Sequence, residues 1–287
     1  MKWLKWTGIV LGGLFVLVLI LINVAAGFFR MPDKRVQKHF EEAGVDYRIH
    51  RETYCDAPIR WIESGNLNSG TLVFFQHGAP GGFGDFSDYM IDADLVKNAR
   101  MVTMDRLGYG YSNYGEGEPS IIEHVKAAKF VLDQYQPDTI ILVGYSYGGP
   151  IAGSLAGRHP EKLKALLMLA PVNAPEGERI FWFNGVFKTR VAKWLLPKFI
   201  EVANVEKLAH AVALQAIAED WTKIQVPVKH LHCMDDWIAP FEYNTDWSKQ
   251  QIPTDQLELI TWMGDSHFLP NQQKHRIKPV LMALLNL

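Results

Sequence analysis

Residues 139–157 read TIILVGYSYGGPIAGSLAG, and the order of residue types in this stretch decides the fold. Thr139–Val143 is a short run of β-branched and leucine side chains, the composition of a buried strand. Gly148–Arg158 is rich in small residues at helical spacing. Between them Gly144-Tyr145-Ser146-Tyr147-Gly148 places a serine on a tight turn from strand into helix. A side chain at Gly144 or Gly148 would collide with the neighbouring helix or strand. Outward from this stretch, Tyr47–Tyr54, Pro58–Glu63, Thr71–Gln76, Met101–Met104, Leu163–Leu169, Val226–Leu231 and Leu257–Trp262 also read as strands. Ile121–Tyr135 reads as a helix ending at Pro137. Gln272–Leu285 reads as a closing helix that Pro279 should kink or split. Apolar runs separated by helices imply a mostly parallel sheet covered on both faces.

Composition fits that reading. The chain has 287 residues, 48% hydrophobic and 21% charged, enough to bury one large core. A net charge of -2 without a long basic run gives no footing for nucleic acid. Two cysteines, Cys55 and Cys233, make neither a disulfide framework nor a zinc site. No metal and no organic cofactor is expected.

Two segments depart from the alternating pattern. Between Lys5 and Arg30 there is no charge, and Ile9–Ile22 holds only Leu, Ile, Val, Phe and Gly. As a helix the uncharged stretch would measure roughly 35 Å, enough to cross a bilayer. Trp3 and Trp6 at one end and Phe28 and Phe29 at the other suit its interfaces. We read residues 1–30 as a single-pass membrane anchor; the alternative is a signal peptide cleaved near Val24-Ala25-Ala26. Arg30, Lys34, Arg35 and Lys38 outnumber Lys2 and Lys5, a bias toward a cytoplasmic domain, whereas use of such a segment for export would put the domain on the other side. The second segment runs from Asn173 to Trp221. It shows no strand, has helical stretches at Val186–Leu195 and Val205–Ile217, and must leave the sheet and return. Residues 173–222 are therefore expected to form a helical lid between two parts of one core, 31–172 and 223–287. The competing reading is extra core packing.

The setting of Gly-x-Ser-x-Gly resembles the nucleophile elbow of the α/β-hydrolase superfamily. That resemblance implies Ser146 as nucleophile, with an acid and then a histidine following it along the chain. Ser112, in Gly110-Tyr111-Ser112-Asn113, follows no buried strand directly and lacks the glycine spacing. Of the histidines after Ser146, His159 comes too early, His210 lies in the lid, His275 sits in a basic helix, and His230 and His232 alternate along a strand. His267, just after the last strand in Gly264-Asp265-Ser266-His267-Phe268, is the expected base. The strand Leu163–Leu169 ends without a carboxylate. The strand Val226–Leu231 runs into Asp235 and Asp236, and position alone leaves both open. The segment Cys233–Pro240 resembles the Gly-x-x-Asp-x-x-x-Pro segment of α/β-hydrolases, with Cys233 in the glycine position. Matched residue by residue, that likeness implies Asp236.

One oxyanion donor is expected at the amide of Tyr147, the residue after the nucleophile. The other should come from the loop His77-Gly78-Ala79-Pro80-Gly81-Gly82, where Pro80 has no N–H and Ala79 holds the donor position. This loop resembles that of proline iminopeptidases and of epoxide hydrolases; the latter use an aspartate nucleophile, against which Ser146 argues. Asp105–Ser112 resembles the superfamily's Asp-Arg-x-Gly-x-Gly-x-Ser segment, which implies a structural role.

The expectation is a serine hydrolase that cleaves a carboxylic ester of a small or lipid-like substrate through an acyl-enzyme. The alternative is an aminopeptidase or amidase of the proline iminopeptidase type, which would need a buried carboxylate for the substrate's ammonium. Glu176, Glu178, Glu201, Glu206 and Glu219 in the lid read as solvated helix faces instead. Phe181, Trp182, Phe183, Phe187, Trp194 and Leu195 read as an apolar wall for an acyl or aromatic group. A non-catalytic binding protein would ordinarily have lost a triad member, and a structural membrane protein has no use for an elbow.

Overall fold

The computed structural model describes residues 2–177, 179–264 and 267–287, and within its first helix the side chains of residues 6, 7, 9–22 and 24. In chain order the elements are α1 (Lys2–Phe29), α2 (Asp33–Ala43), β1 (Tyr47–Tyr54), β2 (Ala57–Gly65), β3 (Thr71–Gln76), α3 (Ala93–Asn98), β4 (Arg100–Met104), α4 (Ile121–Leu132), β5 (Thr139–Tyr145), α5 (Gly148–Arg158) and β6 (Leu163–Leu169). Then come α6 (Trp182–Phe187), α7 (Arg190–Leu195), α8 (Lys198–Gln215), α9 (Ala218–Trp221), β7 (Val228–Cys233), α10 (Phe241–Gln251), β8 (Leu257–Trp262), α11 (Leu269–Gln272) and α12 (Lys274–Leu285).

The strands form one eight-stranded sheet in the order β1-β2-β4-β3-β5-β6-β7-β8. β2 runs antiparallel to β1 and β4, and the remaining pairs are parallel. Alternate side chains of β3 feed two cores. Leu72 and Phe74 pack with Val125 of α4 and Ile151 of α5. Val73 and Phe75 pack with Phe40 of α2, Leu95 of α3 and Leu281 of α12. Cover on both faces is why the central strands are apolar throughout rather than alternating.

This architecture carries the elbow at the carboxyl end of β5, a central strand, where ligands bind in open α/β sheets. The glycines beside Ser146 meet the expected crowding: a Cβ on Gly144 would lie 2.4 Å from the Gly148 carbonyl oxygen, and one on Gly148 would lie 2.1 Å from that of Gln76.

Four expectations need correction. Pro279 neither splits nor ends its helix: α12 runs through it, and the break falls at Gln273. The helical bond forfeited is the one to the His275 carbonyl, and both residues are exposed, so solvent can supply the donor. The helix expected at Val186–Leu195 is two, because Thr189 begins a new one, its hydroxyl accepting from the Ala192 N–H. The helix expected at Val205–Ile217 starts earlier, at Lys198 directly after Pro197.

The fourth concerns the N-terminus. Among the described residues no helix is long and apolar enough to cross a membrane. The transmembrane element of the expected architecture is thus not supported by the structure. Ile9, Val10, Leu11, Leu14 and Leu21 are each more than half exposed, and nothing lies within 4 Å of a Cβ built on Gly12 or Gly13.

Candidate active site

Ser146 sits in the left-handed region at φ 50°, a strained conformation for a side-chain-bearing residue. Its N–H donates to the Leu169 carbonyl, and its own carbonyl accepts from Gly149 N–H. The turn thereby presents Oγ beyond the sheet. His267 Nε2 lies 2.9 Å from that Oγ, and His267 Nδ1 lies 2.7 Å from Asp236 Oδ2. All three residues are buried. The structure therefore brings together the serine, the histidine and the second of the two aspartates. Asp235 is exposed and accepts from Gly264 N–H instead. The neighbours Asp265 and Ser266 lie outside the described residues.

Asp236 Oδ1 accepts from the N–H groups of Ile238 and Ala239, each at 2.9 Å. Burial alone would raise the Asp236 carboxyl, but hydrogen bonds from His232 and His267 and from the Ala239 N–H outweigh it and hold the group well below the usual carboxylate range. Asp236 is thus ionised and aimed at Nδ1, which leaves Nε2 to accept from the serine hydroxyl.

The loop after β3 passes close to the serine: a Cβ on Gly78 would lie 3.2 Å from that of Ser146. Ala79 and Tyr147 line the same cavity as Ser146, as the expected oxyanion donors require. The loop is braced from beneath. Asp85 accepts from Gly78 N–H at 3.2 Å. Arg106 donates from its backbone to His77 Nε2 and from its guanidinium to the His77 and Gly78 carbonyls, at 2.9, 3.0 and 2.9 Å. His77 Nε2 therefore accepts, Nδ1 carries the hydrogen toward the Gly78 carbonyl, and burial with the Arg106 charge pushes the imidazole well below its ordinary value.

Two lid expectations change. Glu206 is not on a solvated face. It is fully buried on α8, bound to Arg106, to the Tyr109 hydroxyl and, at 3.1 Å, to His124. Burial would raise it, yet Arg106 and His124 lower it to about 2. Glu176 and Glu219 are exposed, and Glu201 pairs with Lys193 and Lys198; Glu178 lies outside the described residues. The apolar wall is also absent from the site: Trp182 and Trp194 are 83% and 84% exposed, and none of the six aromatic and leucine residues expected there lines the cavity. The lid side is formed by Ala203, Lys207 and His210 of α8, around a cavity of about 70 Å³. His210 stacks on Tyr147 with ring centroids 4.7 Å apart. Sequence reading missed Lys207 and His210 because helical position alone does not show which face of α8 meets the elbow.

Residues 71–199 match the family model of the alpha/beta hydrolase fold. An AB hydrolase superfamily protein of Bacillus subtilis (strain 168) is 24% identical over 77% of this chain and 94% of its own length. A bifunctional esterase/perhydrolase of Acinetobacter calcoaceticus is 24% identical over 75% and 91%. The crystal structure of a membrane phospholipase A shares the fold with a TM-score of 0.63 at 17% identity, covering 96% of this chain and 99% of that one. The family match over residues 71–199 and these relatives support the α/β-hydrolase superfamily and an enzyme of general hydrolase function. The comparisons support this superfamily and not the finer likeness to proline iminopeptidases or epoxide hydrolases.

Proposed function

We propose that the chain is a serine esterase that cleaves small carboxylic esters through a Ser146 acyl-enzyme. His267 takes the Ser146 proton as Oγ attacks the ester carbonyl, and Asp236 holds the imidazolium that forms. The N–H groups of Ala79 and Tyr147 receive the oxyanion. His267 then passes its proton to the departing alkoxide. Water attacks the acyl-serine by the same route, giving a carboxylic acid and free Ser146.

The single observation that carries this reading is the relay of 2.9 and 2.7 Å opening into a cavity whose lining, among the described residues, holds Lys207 and no carboxylate. An aminopeptidase needs an anion for its substrate's ammonium, and the buried Glu206 is already committed to Arg106. A cavity of about 70 Å³ suits a small acyl group while α8 stays in place. Esters of short acyl groups are therefore the preferred substrates.

Residues 1–30 serve as a membrane tether in this reading. An aliphatic helix that leaves Ile9, Val10, Leu11, Leu14 and Leu21 more than half exposed is stable in lipid and costly in water. Residues 179–200 carry Arg179, Lys188, Arg190, Lys193 and Lys198 and no acidic residue, beside the exposed Trp182 and Trp194, a composition suited to a lipid surface.

A panel of acyl esters and of prolyl and alanyl anilides tests the substrate class. Short acyl esters should turn over with kcat/KM well above any anilide. Anilides cleaved faster than esters would transfer the assignment to the peptidase.

A further inference from the structure

A second imidazole stands behind Asp236. His232 Nε2 lies 2.9 Å from the Ala239 carbonyl oxygen and 3.4 Å from Asp236 Oδ2. A carbonyl oxygen only accepts, so Nε2 carries the hydrogen. His232 Nδ1 lies 3.0 Å from His230 Nε2, and His230 Nδ1 lies 3.0 Å from Ser248 Oγ. Ser248 Oγ accepts from Asn173 Nδ2 at 3.2 Å, which leaves its hydroxyl hydrogen for His230. His230, His232, Ser248 and Asn173 have no solvent exposure. Burial, with His232 alongside, pushes His230 well below the ordinary histidine value, so it is neutral. One arrangement of hydrogens then satisfies the chain: Asn173 donates to Ser248, Ser248 to His230, His230 to His232, and His232 to the Asp236–Ala239 turn.

Every N–H or O–H dipole in this chain points toward the carboxylate. His232 also grips both ends of the turn that presents it, since Ala239 binds Asp236 Oδ1 through its N–H and His232 through its carbonyl. We propose that His232, supported by His230 and Ser248, is a positioning residue that keeps Asp236 aimed at His267. The proposal rests on the reading of Ser146, His267 and Asp236 as a catalytic triad. The triad itself needs only Asp236 and its backbone donors, so the two buried histidines have no role in it otherwise.

Two substitutions separate the hydrogen bond from the ring. His232→Gln keeps a donor near Nε2 and loses the ring; His232→Phe keeps the ring volume and loses the donor. We expect His232→Phe to lower kcat about 10-fold with KM unchanged, the upper end for losing a hydrogen bond to an uncharged acceptor. His232→Gln should stay within about fivefold of wild type. A role in packing alone would invert that ranking and overturn the proposal. A readout on the native protein covers a failure of the phenylalanine variant to fold. With ¹⁵N-labelled histidine, His230 and His232 should each carry a hydrogen on Nε2 and none on Nδ1, and a hydrogen on Nδ1 of either would overturn the chain. A wild-type protein that an organophosphonate does not label at Ser146 would overturn the triad reading instead, and that result is distinct from either histidine outcome.

Discussion

Arg106 Nη1 and Glu206 Oε1 meet at 2.6 Å with neither side chain exposed, so one ion pair joins the loop after β4 to helix α8 of the insertion. The same guanidinium holds the His77 and Gly78 carbonyls of the oxyanion loop. Glu206→Gln leaves Arg106 buried without its counter-charge, which costs about 3–5 kcal/mol. Denaturant unfolding should show that loss, with kcat reduced because the loop is no longer seated. The Glu206 carboxyl is depressed to about 2, so its contribution is present above the unfolded value near 4.5 and lost as pH falls through about 2. The variant's acid unfolding should therefore be flatter across that window. A stability within 1 kcal/mol of wild type would show that the pair is no clamp.

Asp236→Asn should lower kcat by about 10⁴, because an amide stabilises the wrong His267 tautomer. Asp235→Asn should cost little, since its carboxylate is exposed and faces Gly264. Steady-state kinetics on one ester substrate checks both, and the opposite ranking would contradict the assigned acid.

Asp85 gives stability a pH dependence near neutrality. Burial pushes its carboxyl up to about 7, and the Gly78 N–H and Arg106 offset this only in part. A raised folded pKa favours the protonated fold. The stabilisation is complete below the unfolded value of about 3.8 and lost as pH rises through about 7, with an upper bound of about 4 kcal/mol. Asp85→Asn should remove this slope from thermal unfolding measured between pH 4 and 8. An unchanged slope would show that the carboxyl is solvated.

Deletion of residues 1–30 should leave activity on soluble esters within about twofold, because the relay and the oxyanion loop lie beyond residue 75. Sedimentation of the full chain with vesicles, absent for the truncated chain, tests the tether. Loss of activity on truncation would mean that α1 has a structural part in the domain.

The core of this molecule was legible where local chemistry is decisive. The bounds of β1, β3, α5, β6 and β8 coincide with runs read from Tyr47, Thr71, Gly148, Leu163 and Leu257, because buried strands and a glycine-bound turn leave few alternatives. Asp236 was reached through motif likeness, and the turn geometry then set it apart from Asp235. Glu206, Lys207 and His210 were misread or missed for a common reason. The hydrophobic pattern of α8 is weak, so its buried face depends on the shape of the surface beneath it rather than on its own sequence. The role of Arg106 and the histidine pair behind Asp236 depend on contacts across several strands, which no local pattern encodes.

The central claim is that Ser146 is the nucleophile. The most direct test is an organophosphonate probe followed by intact mass and peptide mapping of the full chain. The account predicts one adduct, located on Ser146, and none in Ser146→Ala, whose kcat should fall by up to about 10⁶ while the fold persists. An adduct on Ser112, or undiminished labelling and turnover in Ser146→Ala, would contradict it.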